Sequence, residues 1–179
     1  GDWLFGKKYT LKWVSPTHQM AIIGNFLVAA LGADLCEDAE PCTTMVESSE
    51  MMFDIGALFW LVIIAALFLR LSSSFKASYE KPNPTLFLFV APPAAAALSW
   101  TLLMKAKNVD MGMGEAAIDN VTSFFFFVDF YFYLLVLRIS RSFHNQPFAV
   151  AFWAIIFPTS TAASASLTVA FNRKNMMWE

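Results

Sequence analysis

Residues 53–71 read FDIGALFWLVIIAALFLRL, with Asp54 near one end and Arg70 near the other. A helix needs about 20 predominantly apolar residues to cross a bilayer core. The run is too long and too uniformly apolar for a barrel strand, which alternates every second residue. It predicts a transmembrane helix over 52–71. Four more stretches read the same way, at about 17–33, 84–104, 118–139 and 148–171. The expected fold class is therefore all-α integral membrane, with five spans over 17–171. An interfacial segment precedes them at 1–16 and a polar tail follows at 172–179.

Composition agrees. The 179 residues are 58% hydrophobic and 15% charged, with a mean hydropathy of +0.54. A soluble domain carries about 25% charged residues. The formal net charge is −2, so no basic excess points to nucleic acid. The 19 Phe are at home against hydrocarbon. The sequence starts at Gly1 and shows no leader with a basic start and a small-residue cleavage site. That reads as a processed or truncated piece of something longer.

Orientation follows from basic residues in short loops. Lys7, Lys8, Lys12, Arg70, Lys76, Lys81, Arg138 and Arg141 fall on one side, and Lys105, Lys107, Arg173 and Lys174 on the other, eight against four. The N-terminus is expected on the cytoplasmic or equivalent face. Trp3, Phe5 and Trp13, set among lysines, suit an interfacial lead-in there, and Trp178 suits the opposite interface. The acidic loop 34–51 then lies on the far side with Cys36 and Cys42. These two are a candidate disulfide if that side is oxidising; free thiols are the alternative. Without a nearby His they make a poor metal site, and no metal or cofactor is expected.

The spans come in two kinds. The second, and the fourth with FFFFVDFYFYLLVLRI at 124–139, are bulky and free of proline. The others carry small residues or prolines: Gly24 and Asn25 in the first, Pro92 and Pro93 before Ala94–Ala97 in the third, and Pro158 before Thr159, Ser160, Thr161 and Ser164 in the fifth. Small residues let helices approach closely, and proline frees a carbonyl one turn back. Tight packing alone accounts for either feature in one helix. Their recurrence in alternate spans predicts an inner layer around a polar path, with the bulky helices as its outer wall.

No HExxH, CxxC, phosphate loop or GxSxG elbow is present, so no enzyme is expected. His18 and His144 lie at helix starts rather than mid-span, which disfavours haem. Asp129 is the one charge deep in a span. It is a candidate proton-linked residue, against the plainer reading of a hydrogen-bonded structural Asp. Arg70 and Arg138 end their spans and snorkel. With no Lys or Arg deep in a small-residue span, a path here would bind anions weakly and favour throughput. Ser72, Ser73 and Ser74 form an unspecific candidate phosphorylation target.

Three strings carry a family resemblance. Ser15-Pro16-Thr17-His18 with Gly24-Asn25-Phe26, Phe89-Val90-Ala91-Pro92-Pro93 with Trp100, and the run from Phe148 through Trp153-Ala154 to Phe157-Pro158 resemble the fifth, seventh and ninth helices of the tellurite-resistance/dicarboxylate transporter family. That family includes the plant slow anion channels. The resemblance covers nearly the whole chain from about residue 12. It implies ten helices in five hairpins around a central pore, odd helices lining it, a cytoplasmic N-terminus, and trimers. It further implies that Phe157, matching a ninth-helix phenylalanine, plugs the pore; a core aromatic beside a proline kink is the alternative. Counterparts of the first four helices and the tenth are missing, and the acidic loop is longer than the family pattern.

The expected function is passive transport of small anions, chloride, nitrate or a dicarboxylate such as malate. Phe157 is the gate, and Asn25, Pro92, Pro93, Pro158, Thr159, Ser160 and Ser164 form the lining. The expected partners are the lipid bilayer, small anions, and further copies or other membrane subunits that complete the ring. The competing expectation is a structural accessory subunit of a respiratory or photosynthetic supercomplex that keeps a partial transporter fold. A proton-coupled carrier is a third reading and rests on Asp129 alone.

Overall fold

The computed structural model describes residues 14–36, 42–73, 84–110, 120–140 and 153–176. Among these residues are five helices: α1 (Gln19–Leu35), α2 (Thr43–Ser73), α3 (Ala91–Asp110), α4 (Asn120–Ser140) and α5 (Trp153–Met176). Short 3-10 turns, Pro16–His18 and Pro84–Phe89, lead into α1 and α3. No strand occurs among the described residues. Among the described residues four segments are long and apolar enough to cross a membrane: Pro16–Leu35, Thr43–Arg70, Pro84–Lys107 and Asn120–Arg138. The fifth helix has 24 residues, about 36 Å of length, but its apolar described part, Ala154–Ala170, is shorter. Its hydroxyls lower its hydropathy. The expected all-α membrane fold is thus observed. The lead-in over 1–13, the loop carboxylates Glu37, Asp38 and Glu40, and Ser74, Lys76, Lys81, Arg141, His144 and Trp178 lie outside the described residues, as do the side chains of Ser72, Ser73, Arg173 and Lys174.

The chain enters the first span through a cap. Ser15 Oγ accepts the Thr17 N–H at 3.5 Å, and the Ser15 N–H donates to His18 Nδ1 at 3.1 Å. With Pro16 in the first turn, donors that a helix start leaves unpaired are satisfied locally. Nearby, Arg70 Nη1 at the end of α2 donates to the Val14 carbonyl. The lead-in is thereby tied to the hairpin it precedes.

α1 and α2 form a tight antiparallel pair, and glycine explains how tight. A Cβ at Gly32 would collide with Ser49 Oγ, and one at Gly56 would lie 3.1 Å from the Phe26 ring and 3.2 Å from Asn25 Cβ. Such close approach suits a membrane, where packing rather than a hydrophobic drive holds helices together.

The third helix is the centre of the bundle and packs on each of the other four. Of its apolar stretch 72% is buried, against 28% for α2 and for α4. Ala94, Ala95, Ala96 and Ala97 are all buried, so a full turn of α3 is enclosed on every side. Only methyl-sized side chains fit there. Hydroxyls pin it: Ser99 Oγ lies 2.6 Å from the Phe26 carbonyl of α1, and Thr101 Oγ1 lies 3.3 Å from Thr122 Oγ1 of α4.

The bulky helices sit outside, as expected. Leu58, Phe59, Leu61, Val62 and Leu69 of α2, and Phe124, Phe127, Phe130, Tyr131 and Leu134 of α4, are exposed. Their inner faces meet through aromatic rings. Phe53 and Trp60 pack on Phe125 at 6.0 and 5.6 Å, and Phe68 stacks on Phe132 at 6.1 Å. α2 and α4 therefore run in the same direction, side by side over α3.

Candidate pore-lining surface

α5 carries the polar residues that the sequence singles out, and its two faces differ. Pro158, Thr161, Ala162, Ala165 and Val169 are buried against the bundle. Phe157, Ser160 and Ser164 are exposed. Their spacing of three and four residues puts them on one stripe of the helix. Thr168 extends that stripe by another turn, and sequence reading did not single it out. The i, i+3, i+7, i+11 repeat from Phe157 was the signal for it.

Proline shapes this helix. Pro158 has no N–H for the Ala154 carbonyl. Around it, hydroxyls bind backbone carbonyls: Thr159 Oγ1 to Ile155 at 2.7 Å, Ser160 Oγ to Phe157 at 2.8 Å and Thr161 Oγ1 to Phe157 at 2.9 Å. Further along, Ser166 Oγ donates to Ala162 and Thr168 Oγ1 to Ser164. Each of these protons is already engaged with a carbonyl of the same helix. Ser164 is exposed, and its hydroxyl makes no side-chain hydrogen bond among the described residues.

Phe157 is 38% exposed. Among the described residues its ring packs against no other ring. It projects from α5 one residue before the buried proline, at the head of the hydroxyl stripe.

The other expected lining residues do not join this stripe. Asn25 is half-buried, and its Cβ faces Gly56 of α2, on the flank of α1 that meets α2. Pro92, Pro93 and Pro158 are fully buried; they shape helices without presenting a surface. Thr159 is half-buried and sits on the other flank of α5. Asp129 is buried in α4 between the levels of Phe125 and Phe132, with Oδ1 lacking a hydrogen-bond partner. Its helix packs mainly on α3.

A second exposed face belongs to α1. Met20, Leu27, Val28, Leu31 and Leu35 are exposed there, and nothing lies within 4 Å of a Cβ built at Gly24. α1 and α5 are thus the margins of a bundle whose centre is α3, and each leaves one face uncovered. Among the described residues no cluster of three or more His, Cys, Asp or Glu side chains is placed to hold a metal.

Comparison with known proteins gives this arrangement its context. The family model described as voltage-dependent anion channel, SLAC1, matches residues 3–178. The S-type anion channel SLAH2 of Arabidopsis thaliana is 33% identical over 168 residues, covering 93% of this chain and 28% of that protein. The guard cell S-type anion channel SLAC1 of the same plant is 26% identical over 171 residues, with 95% and 27% covered. S-type anion channel SLAH1 is 31% identical over 175 residues, with 95% and 40% covered. The chain spans between 25% and 42% of the length of the curated relatives it matches. Those relatives are channels rather than enzymes. The match runs through all five helices, and the chain belongs to the SLAC1 family of voltage-dependent anion channels.

Proposed function

We propose that this chain supplies part of the wall of a passive pathway for small anions such as chloride or nitrate. The pathway runs along the exposed stripe of α5, and Phe157 obstructs it. Family membership supports anions as the solute. The observation that carries the reading is the placement of Phe157, Ser160 and Ser164 on one uncovered face, with Phe157 just before the buried Pro158 and the two serines after it. Ser164 is the residue that donates a hydrogen bond to the anion. The hydroxyls of Ser160 and Thr168 can turn from their carbonyls as it passes. No Lys or Arg occurs in α5 between Trp153 and Asn172, so an anion meets no deep electrostatic trap. That favours passage over capture.

Five helices with two uncovered margins do not enclose a conduit. Further helices, covering the exposed faces of α1 and α5, complete it. The share of each relative that this chain spans supports that part of the reading. The uncovered apolar face of α1 supports it too.

The test is ion replacement across a bilayer holding the complete assembly. The current reverses at the equilibrium potential of the permeant anion. It follows the anion gradient and ignores the cation gradient. A reversal potential that tracks the cation, or an absence of current from a verified complete assembly, overturns the proposal.

A further inference from the structure

Gln19 shares the buried stripe of α1 with Ile22, Ile23, Phe26 and Ala29. The residue is 0% exposed, and among the described residues neither its Nε2 nor its Oε1 has a hydrogen-bond partner. A primary amide carries donors on its nitrogen and an acceptor on its oxygen. Burying one with none of them used is costly, and buried polar side chains are nearly always bonded to protein or to ordered water.

The register between helices shows what stands beside it. Ser99 of α3 bonds to the Phe26 carbonyl of α1. The two helices begin at the same end of the bundle, because the turns that lead into them, Pro16–His18 and Pro84–Phe89, pack on each other. Gln19 precedes Phe26 by seven residues, and Pro92 precedes Ser99 by seven. The Gln19 side chain is therefore level with the junction at which the 3-10 turn becomes α3.

That junction is short of donors. Pro92 and Pro93 carry no N–H, so the carbonyls of Leu88 and Phe89 lose the donors that an unbroken helix would give them. Neighbouring backbone bonds go elsewhere, the Val90 N–H to Phe87 at 3.1 Å and the Ala94 N–H to Val90 at 3.4 Å. Leu88, Phe89, Pro92 and Pro93 are all buried, and α5 packs on the same 3-10 turn. At the far end of the bundle a disulfide between Cys36 and Cys42, with Cα atoms 5.5 Å apart, ties α1 to α2. At this end the groups available for a tie between α1 and α3 are polar.

We propose that Gln19 and the Leu88 and Phe89 carbonyls hold ordered water at the α1–α3 entry, bridging the amide to the proline-broken backbone. The balance of donors and acceptors selects water over an ion. A monovalent cation suits Gln19 Oε1 and the two carbonyls but leaves Nε2 unpaired. An anion suits Nε2 and is repelled by the oxygens. Water accepts from Nε2 and donates to a carbonyl, and a second molecule serves Oε1. Broken backbone at membrane depth is tolerated where such partners satisfy it again. The site lies apart from the exposed stripe of α5, and this proposal does not depend on the anion pathway.

The experiment is radiolytic hydroxyl labelling of the complete assembly, read residue by residue by mass spectrometry. Radicals formed from bound water mark the side chains next to it. Ile23, one turn on from Gln19, and Pro92 are expected to take label faster than Leu103, relative to their intrinsic reactivities, although all three are buried. Gln19→Leu removes the amide and should lower labelling of Ile23 and Pro92 several-fold, with Leu103 unchanged. Pro92→Ala gives the Leu88 carbonyl a donor while keeping Gln19, and should lower labelling of Ile23 as well. Ile23 and Pro92 labelled no faster than Leu103 in the unaltered protein would overturn the proposal. So would labelling of Ile23 that stays at its original rate in both variants. Labelling that falls when sodium or potassium replaces a large organic cation would assign the oxygens to a metal cation and overturn it too.

Discussion

The Ser99 hydroxyl of α3 sits 2.6 Å from the Phe26 carbonyl of α1 and 2.6 Å from the Ala95 carbonyl of its own helix. One proton is shared between two acceptors, one within the helix and one across the interface. This is a polar link between the central helix and the α1 margin, and Ser99 is fully buried. Ser99→Ala is expected to lower stability by about 0.6 kcal/mol, typical of an interhelical hydrogen bond in a membrane protein. Reversible unfolding in mixed micelles reads the change. A loss above about 2 kcal/mol would mean that helix packing, not the bond, had been disturbed.

Glycine positions give a sharper test of the α1–α2 interface. Gly32→Ala drives a methyl into Ser49 Oγ and is expected to destabilise by about 1 kcal/mol, the lower range for overpacking, because a hydroxyl can turn aside. Adding Ser49→Ala removes the obstacle, since the Ser49 Cβ is 3.4 Å from the new methyl. The double variant should recover most of the loss, and additive losses would contradict the contact. Gly24→Ala meets nothing and gains helix propensity of up to about 1 kcal/mol.

Asp129 lies in the aromatic seam and away from the α5 stripe. Phe125 precedes it by one turn and packs on Trp60, whose Nε1 is also without a partner. Asp129→Asn is therefore expected to leave anion flux and its pH dependence unchanged. Abolition of pH-dependent uptake would instead make Asp129 a proton-linked residue. Trp60→Phe removes a buried donor that bonds to nothing, so its effect on stability should be small or favourable, within about 1 kcal/mol.

The Lys107–Glu50 pair joins α3 to α2 at 2.6 Å, with both side chains partly exposed. Lys107→Met is expected to cost less than about 1 kcal/mol, and the cost should fall further in high salt. A salt-independent loss would point to packing by the lysine stem.

The division into bulky and small helices was legible in the residues themselves. Phe59, Leu61 and Phe127 belong to bulky runs free of proline, and they face outward. The grouping of the first, third and fifth spans as equals was not. Ala94–Ala97 and Pro158–Ala165 look alike as composition, yet α3 is enclosed on every side and α5 keeps one face open. Which small-residue helix becomes the centre depends on neighbours distant in sequence. Asn25 shows the same limit. Its polarity suggested a lining role, but the phase of α1 turns it toward Gly56. Phe157 was singled out through the family resemblance, and Ser160 and Ser164 as hydroxyls following Pro158 together with Thr159; that Thr159 falls on another flank while the other three share an exposed face follows from the phase of α5 against the bundle.

The most direct test of the pathway is Phe157→Ala in the complete assembly, read as anion conductance at fixed voltage. Among the described residues Phe157 packs against no other ring, and it stands at the head of the hydroxyl stripe, so its removal should leave the fold intact and open the path. The account predicts a conductance increase of several-fold with anion selectivity retained. Unchanged conductance, from a variant that assembles in normal amount, would contradict it.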